Sequence, residues 1–200
     1  MNSGRPGFRY CVEFAKVGPA RFLSHLDLQA AFERALRRAR LPLAWSEGFQ
    51  PRPRLQFEEA LPLGWSSERE RLWVELRRPY PSASAARGLA RVLPAGLELL
   101  RVYPAPGRPR PARLRVFRVE GIQVGDEAGP FLTDRFPPPA AGAPPPVELE
   151  VEGAALRVTL RPGRGGNLPA LRRVLEALVG EEAAGSARVR RLAVVEEDRR

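Results

Sequence analysis

Very little in this sequence is suited to metal or redox chemistry: among 200 residues there is one cysteine, one histidine and one methionine. Cys11 stands alone in an alternating apolar stretch. That excludes an internal disulfide framework and any CxxC-type zinc or iron–sulfur site, and it marks the thiol as a small buried hydrophobe. His25 has no second histidine beside it, and neither paired carboxylates nor a serine in a nucleophile setting complete a catalytic set. No run approaches the roughly 20 apolar residues that a membrane-spanning helix requires, and the opening MNSGRPGFRY lacks the apolar stretch of a signal peptide. The expectation is a cytoplasmic protein with no membrane contact and no metal or cofactor of its own. Lysine is almost missing too, with Lys16 its sole instance, so arginine carries the formal net charge of +10.

What is present is enough for a core. A hydrophobic content of 44% over this length supports folding without disulfides or metals, as one large domain or two small ones. The positive charge favours association with nucleic acid, an acidic protein or another anionic surface.

Period-two alternation predicts a first strand from Phe8 to Ala15 with Tyr10, Val12 and Phe14 on one face. Ser24 followed by Asp27 has the spacing of a capping box, and a helix follows to about Arg40, before Pro42. Leu28, Phe32, Ala35, Leu36 and Ala39 form its apolar stripe, with Arg34, Arg37 and Arg38 on the other side. An extended segment from Leu43 to Phe57, a strand from Arg71 to Arg77, a helix from Ser82 to Leu93 and a strand from Leu97 to Tyr103 complete a β-α-β-β-α-β order. The proline-rich stretch 104–112 reads as a linker. Beyond it the pattern returns: strand Leu114 to Val119, a short helix near Asp126 to Phe136, strands Val147 to Val151 and Ala155 to Arg161, helix Leu168 to Val179 and strand Arg188 to Val195. A proline-rich loop, 136–146, interrupts it. The expected class is α+β: two tandem ferredoxin-like halves with antiparallel sheets, 1–103 and 113–200, the second looser than the first.

The segments FLSHLDL, WSEGFQPRPR and LPLG, in this order within residues 18–64, carry a resemblance. They are similar to the radical-SAM-linked family of uncharacterised bacterial proteins, found free or fused C-terminal to radical-SAM enzymes. The resemblance implies a radical-SAM enzyme as partner and brings no established activity. Gln50 stands where histidine or asparagine is expected from relatives, so no titrating group is carried over to that position. Radical-SAM chemistry needs three close-spaced cysteines to hold its cluster, and this chain has one. The implied role is therefore recognition or presentation of a substrate, with the chemistry left to the partner.

Three constellations stand out. In residues 45–54, Trp45 and Phe49 offer rings for stacking on bases, Gly48 permits close backbone approach, and Arg52 and Arg54, separated by prolines, suit phosphate groups. The plainer reading is a bulged strand with core aromatics and solvated arginines. His25 follows the helix cap, where an imidazole beside an anion would act as a general base on a ribose hydroxyl; the plainer reading is organisation of the turn. Arg161 and Arg164 lie in a glycine-rich turn before a helix, suited either to a phosphate or to a simple connection. The arginine runs on the first helix and on the last strand, Arg188, Arg190 and Arg191, read individually as solvated faces.

These observations lead to a non-catalytic RNA-binding or substrate-presenting accessory module acting with a radical-SAM enzyme. Two other readings stand beside it. One is a metal-independent endoribonuclease resembling CRISPR repeat-processing enzymes, with His25 catalytic. The other is a basic protein–protein adaptor that touches no nucleic acid.

Overall fold

The computed structural model describes residues 7–58, 61–107, 112–125, 128–163 and 167–196. The chain is mixed α+β and divides into two compact units, Met1–Pro109 and Arg110–Arg200. The division falls inside the proline-rich stretch, of which 108–111 lie outside the described residues. Among the described residues no helix is long and apolar enough to cross a membrane.

The first unit contains β1 (Phe8–Lys16), a 3-10 turn (Gly18–Phe22), α1 (His25–Arg38), β2 (Leu55–Phe57), β3 (Ser66–Leu76), α2 (Ser82–Ala90) and β4 (Leu97–Pro104). Its pairings are antiparallel and run β4-β1-β3-β2. Val12 faces Leu72 on one side and Val102 on the other. With the alternation this register puts Tyr10, Val12 and Phe14 into a core shared with Phe32, Ala35 and Leu36 of α1 and Ala85 and Leu89 of α2. Phe14 and Phe32 pack at 4.5 Å between ring centroids, and Phe57 adds an edge contact to Phe32 at 5.8 Å.

Both ends of α1 are closed. Ser24 Oγ accepts the Asp27 N–H at 3.1 Å, and the Asp27 carboxylate accepts the Ser24 N–H at 3.2 Å and its hydroxyl at 2.6 Å, so the capping box forms as its spacing predicts. At the other end the Arg40 N–H donates to the Arg37 carbonyl at 3.0 Å and the Leu41 N–H to that of Leu36 at 3.3 Å. This is a Schellman motif, sealed by buried Leu36 and Leu41, with an arginine at φ 57° in the position that glycine usually holds. Glycine is required at another turn, before β4. Gly96 has φ 84°, and a Cβ there would lie 2.4 Å from the Val17 carbonyl oxygen.

The second unit contains β5 (Ala112–Glu120), α3 (Ala128–Arg135), β6 (Val147–Glu152), β7 (Ala155–Leu160), α4 (Leu171–Ser186) and β8 (Arg188–Glu196). Its pairings are antiparallel and run β8-β5-β7-β6. Val119, Val158, Leu160, Leu132, Val174 and Leu175 are buried. Gly180, at φ 80° and ψ 167°, interrupts α4, and Ala170 at its N-cap makes no side-chain capping bond.

Several elements differ in extent from their sequence-based expectation, among them α2, which ends at Ala90 instead of Leu93. β3 begins at Ser66 instead of Arg71, because its first half buries polar Ser67 and Glu70, which hide it from an apolar pattern. The expected extended segment 43–57 is a hairpin followed by a three-residue strand. α4 begins at Leu171 instead of Leu168.

Candidate functional site

Residues 44–54 fold back on themselves. The Ser46 N–H donates to the Arg52 carbonyl at 2.8 Å and the Arg54 N–H to the Ala44 carbonyl at 3.0 Å, with Trp45 and Pro53 bridged between them. The Ser46 hydroxyl oxygen also accepts the Arg52 N–H at 3.0 Å, and Gly48 at φ 117° turns the tip. The base is stitched to β3: the Ala44 N–H donates to the Glu75 carbonyl at 2.8 Å, and the Glu75 N–H to that of Arg54 at 3.1 Å. A loop held this way keeps its tip in place without tip contacts of its own.

At that tip Phe49 is fully exposed, at 108%. An apolar ring in water with nothing packed on it is not serving the core. Trp45 is partly exposed, and the Arg37 guanidinium of α1 lies over its ring at 4.8 Å. The structure thus brings Arg37 to the hairpin. Arg37 also approaches Glu33 at 3.9 Å, while Arg34 and Arg38 are exposed on the helix. Arg52 is exposed; Arg54 is drawn to Glu75 at 3.4 Å.

His25 sits at the first position of α1 with its ring edge-on to Phe57, 5.3 Å between centroids. Asp27, two residues on, is engaged with Ser24. Arg161 belongs to the second unit, where it pairs with Glu148 at 2.8 Å, and Arg164 lies outside the described residues. The Gly163 N–H donates to the Asn167 carbonyl at 3.1 Å, four residues before α4 begins. Among the described residues no group of three or more His, Cys, Asp or Glu side chains is placed to hold a metal ion.

A family model described as "Uncharacterized protein conserved in bacteria (DUF2344)" matches residues 9–119. The chain belongs to this family. No curated protein matches the chain. The region shared with the family contains the hairpin, α1, β2 to β4 and β1 from Arg9 onward, whereas Arg161 lies beyond it.

Within the same region lies a cluster that sequence reasoning missed. Glu13, only 2% exposed, accepts hydrogen bonds from Arg69 Nε and Nη2 at 3.1 and 2.7 Å, from Arg101 Nε and Nη2 at 2.6 and 3.0 Å, and from the Tyr103 hydroxyl at 2.9 Å. Burial pushes its carboxyl up, but the Arg101 and Arg69 guanidiniums and the Tyr103 hydroxyl outweigh that and hold it at about 2, so it is ionised. Beside it Cys11 is completely buried, and burial pushes its thiol up to about 11 against the pull of a Tyr103 hydrogen bond. Burial likewise raises the Tyr103 hydroxyl. The available signal was a lone glutamate in an apolar strand, Glu13 between Val12 and Phe14. Such a residue needs a cationic partner if its face is covered.

Proposed function

We propose that this chain is a non-catalytic module that binds single-stranded RNA and presents it to a radical-SAM enzyme, and that it is built from two tandem ferredoxin-like halves. The carrying observation is the exposed Phe49 ring at the tip of an anchored hairpin, with Arg52 and the Trp45–Arg37 pair alongside. A ring whose two faces are both open, beside guanidiniums and on a loop already folded, suits base stacking with a small ordering cost. The partner is implied by the FLSHLDL, WSEGFQPRPR and LPLG motifs. The strand orders β4-β1-β3-β2 and β8-β5-β7-β6 support the tandem architecture.

A salt titration of RNA binding tests the reading. Phe49→Ala weakens binding by about 1 to 3 kcal/mol at every salt concentration and leaves the slope of log K against log salt unchanged. Arg52→Ala flattens that slope by about 0.7. Arg54→Ala flattens it by a similar amount, because Arg9 shares the Glu75 carboxylate and leaves the pair of guanidiniums in excess there. Absence of RNA binding by the wild-type chain, with the hairpin variants losing capture of a radical-SAM enzyme, would replace this reading with the protein–protein adaptor. Cleavage of RNA that disappears in His25→Asn would replace it with the endoribonuclease.

A further inference from the structure

The face of the first unit's sheet turned away from α1 and α2 is organised in rows. Since Tyr10, Val12 and Phe14 point into the core, Arg9, Cys11 and Glu13 point the other way, and the register sets their neighbours. Arg9 lies opposite Glu75; Cys11 lies between Trp73 and Tyr103; Glu13 lies between Arg71 and Arg101. The first row carries Arg9 and Arg54 on the single carboxylate of Glu75, at 2.9 and 3.4 Å. The third carries Arg69 and Arg101 on the single carboxylate of Glu13. Four residues of strand separate Arg9 from Glu13, so the two stations stand roughly 14 Å apart.

We propose that Arg69 and Arg101, locked on the buried Glu13 carboxylate, grip a phosphodiester of the same RNA strand that stacks on Phe49; this rests on the RNA-binding reading above. Neutralising Glu13 takes one guanidinium, yet two are present, which leaves one unit of positive charge at the station. Arg71 does not change that balance, because its own charge is met by Glu58. Both Arg69 and Arg101 turn the Nε–Nη2 edge to Glu13, which directs Nη1 away from it, and their side chains are 46% and 57% exposed. The Tyr103 ring backs the Arg101 guanidinium at 4.7 Å. Two forks held from behind present outward donors with little rotamer freedom left to lose, an arrangement suited to a phosphate. The Glu75 station, which includes Arg54 at the hairpin base, repeats the two-on-one arrangement and continues the positive track from the hairpin to Glu13.

The test is a salt titration with an unstructured oligouridylate, comparing wild type, Phe49→Ala, Arg101→Gln and the triple variant Glu13→Gln/Arg69→Gln/Arg101→Gln, each checked by melting. The triple variant removes the carboxylate with both of its guanidiniums and so lowers the local charge by one unit without leaving a buried charge unpaired, which keeps it informative if Arg101→Gln alone unfolds. The expected result is a slope flattened by about 0.7 in Arg101→Gln or in the triple variant. Phe49→Ala should keep the wild-type slope with weaker binding. An unchanged slope in the folded Arg101 variants, with Phe49→Ala still weakened, would overturn this contact and leave the RNA reading standing. A wild-type chain that does not bind the oligonucleotide would remove the RNA reading, and this contact with it.

Discussion

Glu13 in the first unit and Glu152 in the second are both strand carboxylates held by two arginines, yet they differ in burial and in how they are held. The Glu13 side chain is 3% exposed and takes both of its arginines as two-bonded forks. That of Glu152 is 34% exposed and takes one bond each from Arg118 and Arg157, at 3.0 and 3.1 Å. Those two arginines also contact Glu120 and Glu150, so their charge is shared among several carboxylates, whereas Arg69 and Arg101 both direct their forks to Glu13 alone among the contacts of the described residues. The same residue types on similar strands thus make a screened surface network in one unit and a fixed, positively charged station in the other. Burial and fork geometry decide between them, not composition.

Acid titration should separate the two most widely. Glu13 has its carboxyl held at about 2 against an ordinary 4.5, so its stabilising contribution is fully present above pH 4.5 and is lost as pH falls through about 2. That amounts to roughly 3 kcal/mol. Chemical denaturation at pH 7 and pH 2.5 should show Glu13→Gln destabilised most at neutral pH, with the gap to wild type closing in acid. Glu152→Gln should cost at most about 1 kcal/mol. Equal losses for the two would erase the distinction.

Helix ends provide a second, smaller contrast. α1 has its capping box and α4 begins at Ala170 without a side-chain cap. Ser24→Ala should cost about 1 kcal/mol, and Ala170→Ser should add up to about 1 kcal/mol, read as opposite shifts in denaturation midpoint. A midpoint that does not move in Ala170→Ser would mean that the start of α4 is satisfied in another way. The smallest effect is expected at the other end of α1. Arg40 pays for a left-handed backbone, and Arg40→Gly should raise stability by about 0.5 kcal/mol once the greater freedom of glycine in the unfolded chain is set against it.

The parts of the fold governed by local chemistry were readable from the sequence. Ser24 and Asp27 marked the start of α1, and Leu28, Phe32, Ala35 and Leu36 are all buried on its inner stripe. Hidden from such reading were features whose partners lie far away in the chain. Nothing near Glu13 announces Arg69 and Arg101, 56 and 88 residues on. The polar start of β3 is buried for reasons that hydropathy does not encode. In the hairpin, Trp45, Phe49, Arg52 and Arg54 were singled out as a group, but sequence did not distinguish their situations. Phe49 stands clear, Trp45 is covered on one face by Arg37, and Arg54 is tied to Glu75 because Ala44 and Arg54 are both sewn to the Glu75 backbone.

The sealed thiol of Cys11 has a practical side. It is completely buried, and burial lifts it to about 11, so it offers almost no thiolate to a reagent at neutral pH while the chain is folded. Because it is the chain's only cysteine, the native protein is in effect a thiol-free background. A cysteine introduced as Phe49→Cys would therefore be the single addressable handle. A fluorophore or spin label attached there would report on the hairpin tip alone, with no native cysteine to remove first.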